Sequence, residues 1–152
     1  MKFQDSSGEF LTLQQIANNV SADYDYQVFV GTDSQVRKDK KLVTYATCIV
    51  LYKKGKGGRI FVSKKKTSLS NSLKDRLMKE VWRSLETSLA LSPLLPKNVE
   101  VIIHIDVNGS TKFKSGKYHQ ELISMVTGQG YKIMIKPEAF AAQNVADRFS
   151  KA

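Results

Sequence analysis

Val28-Phe29-Val30-Gly31-Thr32-Asp33-Ser34-Gln35 is the stretch on which the reading of this chain turns. An apolar run that breaks off in an acid describes a buried strand emerging into solvent, where a carboxylate costs little to expose. Val101-Ile102-Ile103-His104-Ile105-Asp106 repeats the construction. Side by side, two such strands bring Asp33 and Asp106 together, and oxygen-rich clusters of that kind select Mg²⁺ or Mn²⁺. The pairing points to metal-assisted phosphate chemistry.

The segments around these two strands set the topology. Thr12 can cap a short helix reaching about Val20, and Asp23 to Asp25 connect it to the first strand, Gln27 to Thr32. A basic turn, a long strand from Leu42 to Tyr52, a Lys-Gly hairpin tip and a returning strand from Arg59 to Ser63 complete an antiparallel meander. The period then changes. Leu69, Leu73, Leu77, Val81, Leu85 and Leu89 predict a helix of about five turns, capped by Ser70 or Asn71 and ended by Ser92-Pro93. Trp82 reads as part of its core face. The strand from Val99 to Asp106 follows, then a helix opening at Ser115, a short strand from Tyr131 to Ile135 and a final helix from Ala139 to Lys151. A strand that returns by helical crossover can lie parallel to the first. The expectation is one α/β domain over residues 1–152, a mixed five-stranded sheet with helices on both faces and residues 1–25 as an N-terminal helical extension. Ligands in such sheets collect at the carboxyl ends of the strands, where both acids lie.

Composition narrows the partners. The 24 Lys and Arg against 14 acids leave a net charge of +10, which favours a polyanion through counterion release. The excess clusters at expected turns, so Arg37, Lys38, Lys40 and Lys41, with Lys53, Lys54 and Lys56, are the candidate nucleic-acid contacts. Lys64-Lys65-Lys66 is a third cluster, placed at a strand end. No apolar stretch approaches the ~18–20 residues of a membrane span, and the N-terminus lacks a signal-peptide core. The lone Cys48 sits in an apolar run as a buried thiol, which suits a reducing cytoplasm.

Two helix acids join the strand acids. Glu80 borders the buried face of the long helix, which also carries Asp75 and Glu86, and Asp147 sits in Asn144-Val145-Ala146-Asp147-Arg148 of the last helix. In the order strand-acid, helix-acid, strand-acid, helix-acid, Asp33, Glu80, Asp106 and Asp147 make a pattern that resembles the ribonuclease H-like superfamily, and most closely its bacterial YkuK-type group. Val30-Gly31-Thr32-Asp33-Ser34-Gln35, His104-Ile105-Asp106-Val107-Asn108, Lys136-Pro137 and Val145-Ala146-Asp147-Arg148 carry the resemblance, from about residue 10 to the C-terminus. It implies a nuclease that holds two Mg²⁺ or Mn²⁺ ions on the four acids, with Asp33 bridging both, Asp106 and Glu80 on one and Asp147 on the other beside the attacking water. RNA, an RNA·DNA hybrid or branched DNA is the implied substrate. The charge arithmetic agrees. Two carboxylates ~4 Å apart repel by ~4 kcal/mol at an effective dielectric near 20, so four converging acids call for cations. The alternative is a non-catalytic nucleic-acid binder on the same fold. An ATPase of the actin type needs a second lobe that this chain is too short to supply.

Other candidates read as structural. His104 alternates with Ile103 and Ile105 and reads as a packed histidine, and His119 as a surface residue. Ser34 has no histidine base in its sequence context and reads as making a hydroxyl hydrogen bond at the strand end, not as a nucleophile. Gly55-Lys56-Gly57-Gly58 lacks the ending and the following helix of a phosphate-cradling loop. No His or Cys pair has zinc spacing.

Overall fold

The structure, a computed structural model, describes residues 2–69, 72–105 and 118–135. The chain begins with two short strands, β1 (Lys2–Gln4) and β2 (Phe10–Thr12), paired antiparallel. The Asp5 carboxylate holds the turn between them, accepting from the backbone N–H groups of Ser7 at 2.9 Å and Glu9 at 3.0 Å. Thr12 then caps α1 (Leu13–Ala17): its hydroxyl accepts from Gln15 N–H at 3.2 Å while the Gln15 side chain accepts from Thr12 N–H at 2.8 Å. The first 25 residues, expected as a helical extension, thus hold the helix and two strands besides. Three-residue strands are too short to register as alternation, so the expected five-stranded sheet has seven strands among the described residues.

The meander is longer than its apolar runs. β3 (Tyr26–Arg37), β4 (Leu42–Lys53) and β5 (Gly57–Ser68) have 12 residues each and pair antiparallel along their whole length. The apolar runs predict ends at Thr32 for β3 and Ser63 for β5. Both strands continue because the ladder satisfies the backbone of polar residues as well as of apolar ones. Lys41, at φ 51°, closes the β3–β4 connection, and Gly55 and Gly57, at φ 81° and 85°, form the β4–β5 turn, where a side chain would be strained.

α2 (Leu73–Leu91) starts at Ser72, whose hydroxyl accepts from Asp75 N–H at 3.1 Å. The expected caps, Ser70 and Asn71, lie outside the described residues. After α2 come β6 (Glu100–His104), α3 (His119–Thr127) and β7 (Lys132–Met134). The sheet order is β2-β1-β5-β4-β3-β6-β7, with β6 parallel to β3 and β7 parallel to β6. The three described helices pack on one face. Ile16, Val28, Val30, Ile49, Phe61 and Leu91 form one core there, and Leu77, Val81, Leu85, Ile103, Leu122 and Val126 another. The opposite face buries Phe29, Ala46, Cys48, Val50, Val62 and Ile102. The expected final helix, 139–151, lies outside the described residues.

α2 sets the geometry of the site. At about 100° per residue, leucines four apart drift steadily around a helix, so Leu77, Val81, Leu85 and Leu89 cannot all face inward. The buried arc is centred on small polar residues, Ser84 and Ser88. This is why Trp82, expected in the core, is 52% exposed and Leu89 is exposed too. Small hydroxyl side chains let the helix approach the strands. Thr32 Oγ1 lies 2.7 Å from Ser84 Oγ and 3.0 Å from Thr47 Oγ1, a buried three-hydroxyl chain tying α2 to β3 and β4.

Candidate functional site

Asp33 does not emerge into solvent. It lies inside β3, opposite Ala46, and is 8% exposed. The strand runs on past it to Arg37, so Asp33 is interior to the ladder, which the expectation of a strand end missed. Glu80 is 7% exposed on α2, and the hydroxyl of Ser34, the residue after Asp33, donates to its Oε2. Of the three acids on that helix, Glu80 faces inward, whereas Asp75 pairs with Lys79 at 3.2 Å near the surface and Glu86 is exposed. Alternation puts Ser34 and Tyr45 on the α2 face and Asp33 with Ala46 on the other.

Past Gly31, β3 is paired only with β4 among the described residues. The described β3–β6 pairing ends at Gly31↔His104, and Ile105 N–H turns to Met134 O at 2.8 Å. Asp33 stands two positions past that last pair on β3, and Asp106 follows His104 by two in the sequence. Asp106 and Asp147 lie outside the described residues, and among the described residues no three His, Cys, Asp or Glu side chains form a metal cluster. The two described acids, Glu80 bonded by Ser34 and Asp33 on the other face of β3, offer hard oxygens, the donor type that a divalent cation such as Mg²⁺ takes.

Tyr45 and His104 flank the acids. Burial and then the Glu80 and Asp75 charges push the Tyr45 phenol up to about 12, against Arg83 and Arg76, and the Arg83 guanidinium lies 5.0 Å over its ring. His104 is 1% exposed, packed 4.8 Å from the Phe29 ring, and burial pulls it down to about 4. It is a neutral packing residue at pH 7, as its alternation with Ile103 and Ile105 predicted.

The candidate basic contacts fall into two groups. Arg37, Lys38, Lys40 and Lys41 are exposed at the Asp33 end of the meander, and of these only Arg37 is ion-paired among the described residues, to Asp39 at 3.5 Å. Lys53, Lys54 and Lys56 occupy the other end. Lys53 is seven positions along β4 from Ala46, roughly 23 Å from the Asp33 rung at ~3.3 Å per residue. The lysines at 64–66, expected at a strand end, lie within β5. Lys64 sits on the rung Asp33↔Ala46↔Lys64 and shares the face of Asp33, as does Lys66. Alternation of lysines along a longer strand is the signal that would have found them. Beyond Val62 this edge of β5 has no partner strand among the described residues, so its lysines also discourage edge-to-edge pairing.

A model of the Ribonuclease H-like family matches residues 12–151. The chain belongs to this family. It is 24% identical over 139 residues to the uncharacterized protein YkuK of Bacillus subtilis (strain 168), covering 83% of this chain and 80% of that protein. Among solved structures it is similar to the N-terminal RNase H domain of Rv2228c from Mycobacterium tuberculosis, at 12% identity and a TM-score of 0.43, covering 84% of this chain and 95% of that one. RNase H1 from the halophilic archaeon Halobacterium salinarum NRC-1 is 13% identical, with a TM-score of 0.40 and coverage of 82% and 98%.

Proposed function

We propose that the chain is a divalent-metal-dependent nuclease that hydrolyses phosphodiester bonds of RNA, an RNA·DNA hybrid or structured DNA. The observation that carries this is the burial of Asp33 and Glu80 on adjoining elements, beside the place where the described β3–β6 pairing stops. Carboxylates are the hard oxygen ligands that Mg²⁺ and Mn²⁺ take, and these two stand on adjoining elements. Asp33, Glu80, Asp106 and Asp147 would hold Mg²⁺ or Mn²⁺. Two such ions, when bound, supply an activated water and charge relief at the leaving oxygen. Ser34 holds the Glu80 carboxylate in one orientation, and Asp33 is fixed by the β3–β4 ladder, whose rungs run before and after it. Arg37, Lys38, Lys40 and Lys41, joined by Lys64 and Lys66, hold the phosphates flanking the scissile one. Lys53, Lys54 and Lys56 stand too far from Asp33 to share that task.

Asp33→Asn tests the reading. It keeps the volume of the side chain and the strand pairing, so the variant folds while losing cleavage of labelled RNA, hybrid and branched DNA in Mg²⁺ or Mn²⁺, because an amide is a poor bridging ligand. Full activity in that variant rejects the assignment. Tight binding of the same oligonucleotides by wild type, with no cleavage and no Mn²⁺ uptake by calorimetry, would establish the non-catalytic binder instead.

A further inference from the structure

The end of the sheet far from Asp33 carries a cavity of its own. Tyr26, Lys53 and Gly57 form one rung of the meander, and Val28, Leu51 and Arg59 form the rung two positions on, so both present the same face. Tyr26, Leu51, Lys53, Gly57 and Arg59 from these rungs, with Asn19 beyond α1 and Lys56 and Gly58 at the turn, line a cavity of about 250 Å³. Three cations line it and no acid does. Lys53 and Lys56 hold no ion pair among the described residues. Arg59 donates to the Asn19 side chain and has the Asp5 carboxylate at 3.9 Å, which fixes its guanidinium at the mouth.

Aromatic rings stand beside these charges. Lys53 Nζ lies 3.4 Å from the Tyr24 ring centroid and 5.9 Å from that of Tyr26. Tyr24 is 52% exposed. The turn itself is held: Lys54 N–H donates to Asp25 O at 3.0 Å and Lys56 N–H to Lys53 O at 2.9 Å. A fixed cationic cavity with an exposed ring at its rim is the chemistry that grips a phosphate and stacks an unpaired base. A duplex offers no unstacked base to such a ring, and the cavity is too small for one.

We propose that this cavity is a second, non-catalytic site for single-stranded nucleic acid. Lys53, Lys56 and Arg59 take one phosphate, and the neighbouring base stacks on Tyr24. The site requires no divalent ion, so it stands or falls separately from the nuclease reading.

Amide chemical shifts of the full chain, titrated with a short oligothymidylate in the presence of a chelator, test it. Shifts are expected at Asn19, Tyr26 and Gly55 to Arg59. Tyr24→Ala should weaken binding roughly 5–100-fold with an unchanged salt slope, since stacking carries no charge. Lys53→Ala with Lys56→Ala should flatten the slope of log affinity against log salt by up to about 0.7, the share of the one single-strand phosphate no longer neutralised. Lys38→Ala with Lys40→Ala, at the opposite end, should leave these shifts in place. The wild-type titration carries the test even if a variant fails to fold. The proposal is overturned if the far-end amides do not move, if the shifts centre on Arg37 to Lys41, or if inorganic phosphate binds as tightly as the oligonucleotide.

Discussion

Ser34→Ala separates the acid site from ordinary packing. The substitution removes one hydroxyl, leaves almost no cavity, and deprives the buried Glu80 carboxylate of a donor. A hydrogen bond to a charged group contributes about 1.5–3 kcal/mol. At roughly 2–4 °C per kcal/mol for a chain of this length, the metal-free protein should melt roughly 3–12 °C lower. If Glu80 is a metal ligand, Ser34 is its positioning residue, and Mn²⁺ affinity should fall about 10–100-fold. Differential scanning calorimetry without metal and titration calorimetry with Mn²⁺ read the two effects independently. A double-mutant cycle with Glu80→Gln isolates the contact. A coupling below about 0.5 kcal/mol, with unchanged melting and unchanged Mn²⁺ affinity, would refute the claim that Ser34 orients Glu80.

Thr32→Val should cost about 1–3 kcal/mol in urea unfolding, because Thr47 and Ser84 lose the hydroxyl that joins them beneath α2; a neutral result would mean that the hydroxyl chain contributes nothing. His104 titrates near 6.5 when unfolded and about 4 when folded, so the unfolded chain binds the extra proton between those values. The contribution of His104 to stability is therefore greatest above pH 6.5 and falls by about 3 kcal/mol as the pH drops to 4, a loss that His104→Phe should remove from the unfolding pH profile. Lys38→Ala with Lys40→Ala should weaken duplex or hybrid binding and reduce its salt dependence while sparing Mn²⁺ affinity, as competition titrations across a salt series would read.

Part of the site was legible because local chemistry wrote it. The run from Val28 to Gln35 marked the strand and its acid, Thr12 marked the first helix cap, and a helix-period segment between two strands marked a crossover that could make them parallel. Glu80 was less plain, sharing its helix with Asp75 and Glu86. Burial separates them, since the inward arc is centred on Ser84 and Ser88, two residues that a search for apolar periodicity passes over. The same oversight placed Trp82 in the core.

By itself the sequence determined the order of the elements from α1 to β7, the positive charge and the placing of Asp33 with its apolar strand, because period, capping and composition act over a few residues. Tertiary structure alone decided how far the ladder runs. Polar residues such as Gln35 or Lys65 join a strand only when a neighbour offers its backbone groups, and that offer comes from residues distant in the chain. The extra rungs bury Asp33, carry Lys64 onto its face, and hold Lys53 and Lys56 at the opposite end of the sheet. Which charges can act on one phosphate is settled by those rungs, since distance across a folded sheet is not written in the spacing of residues along it.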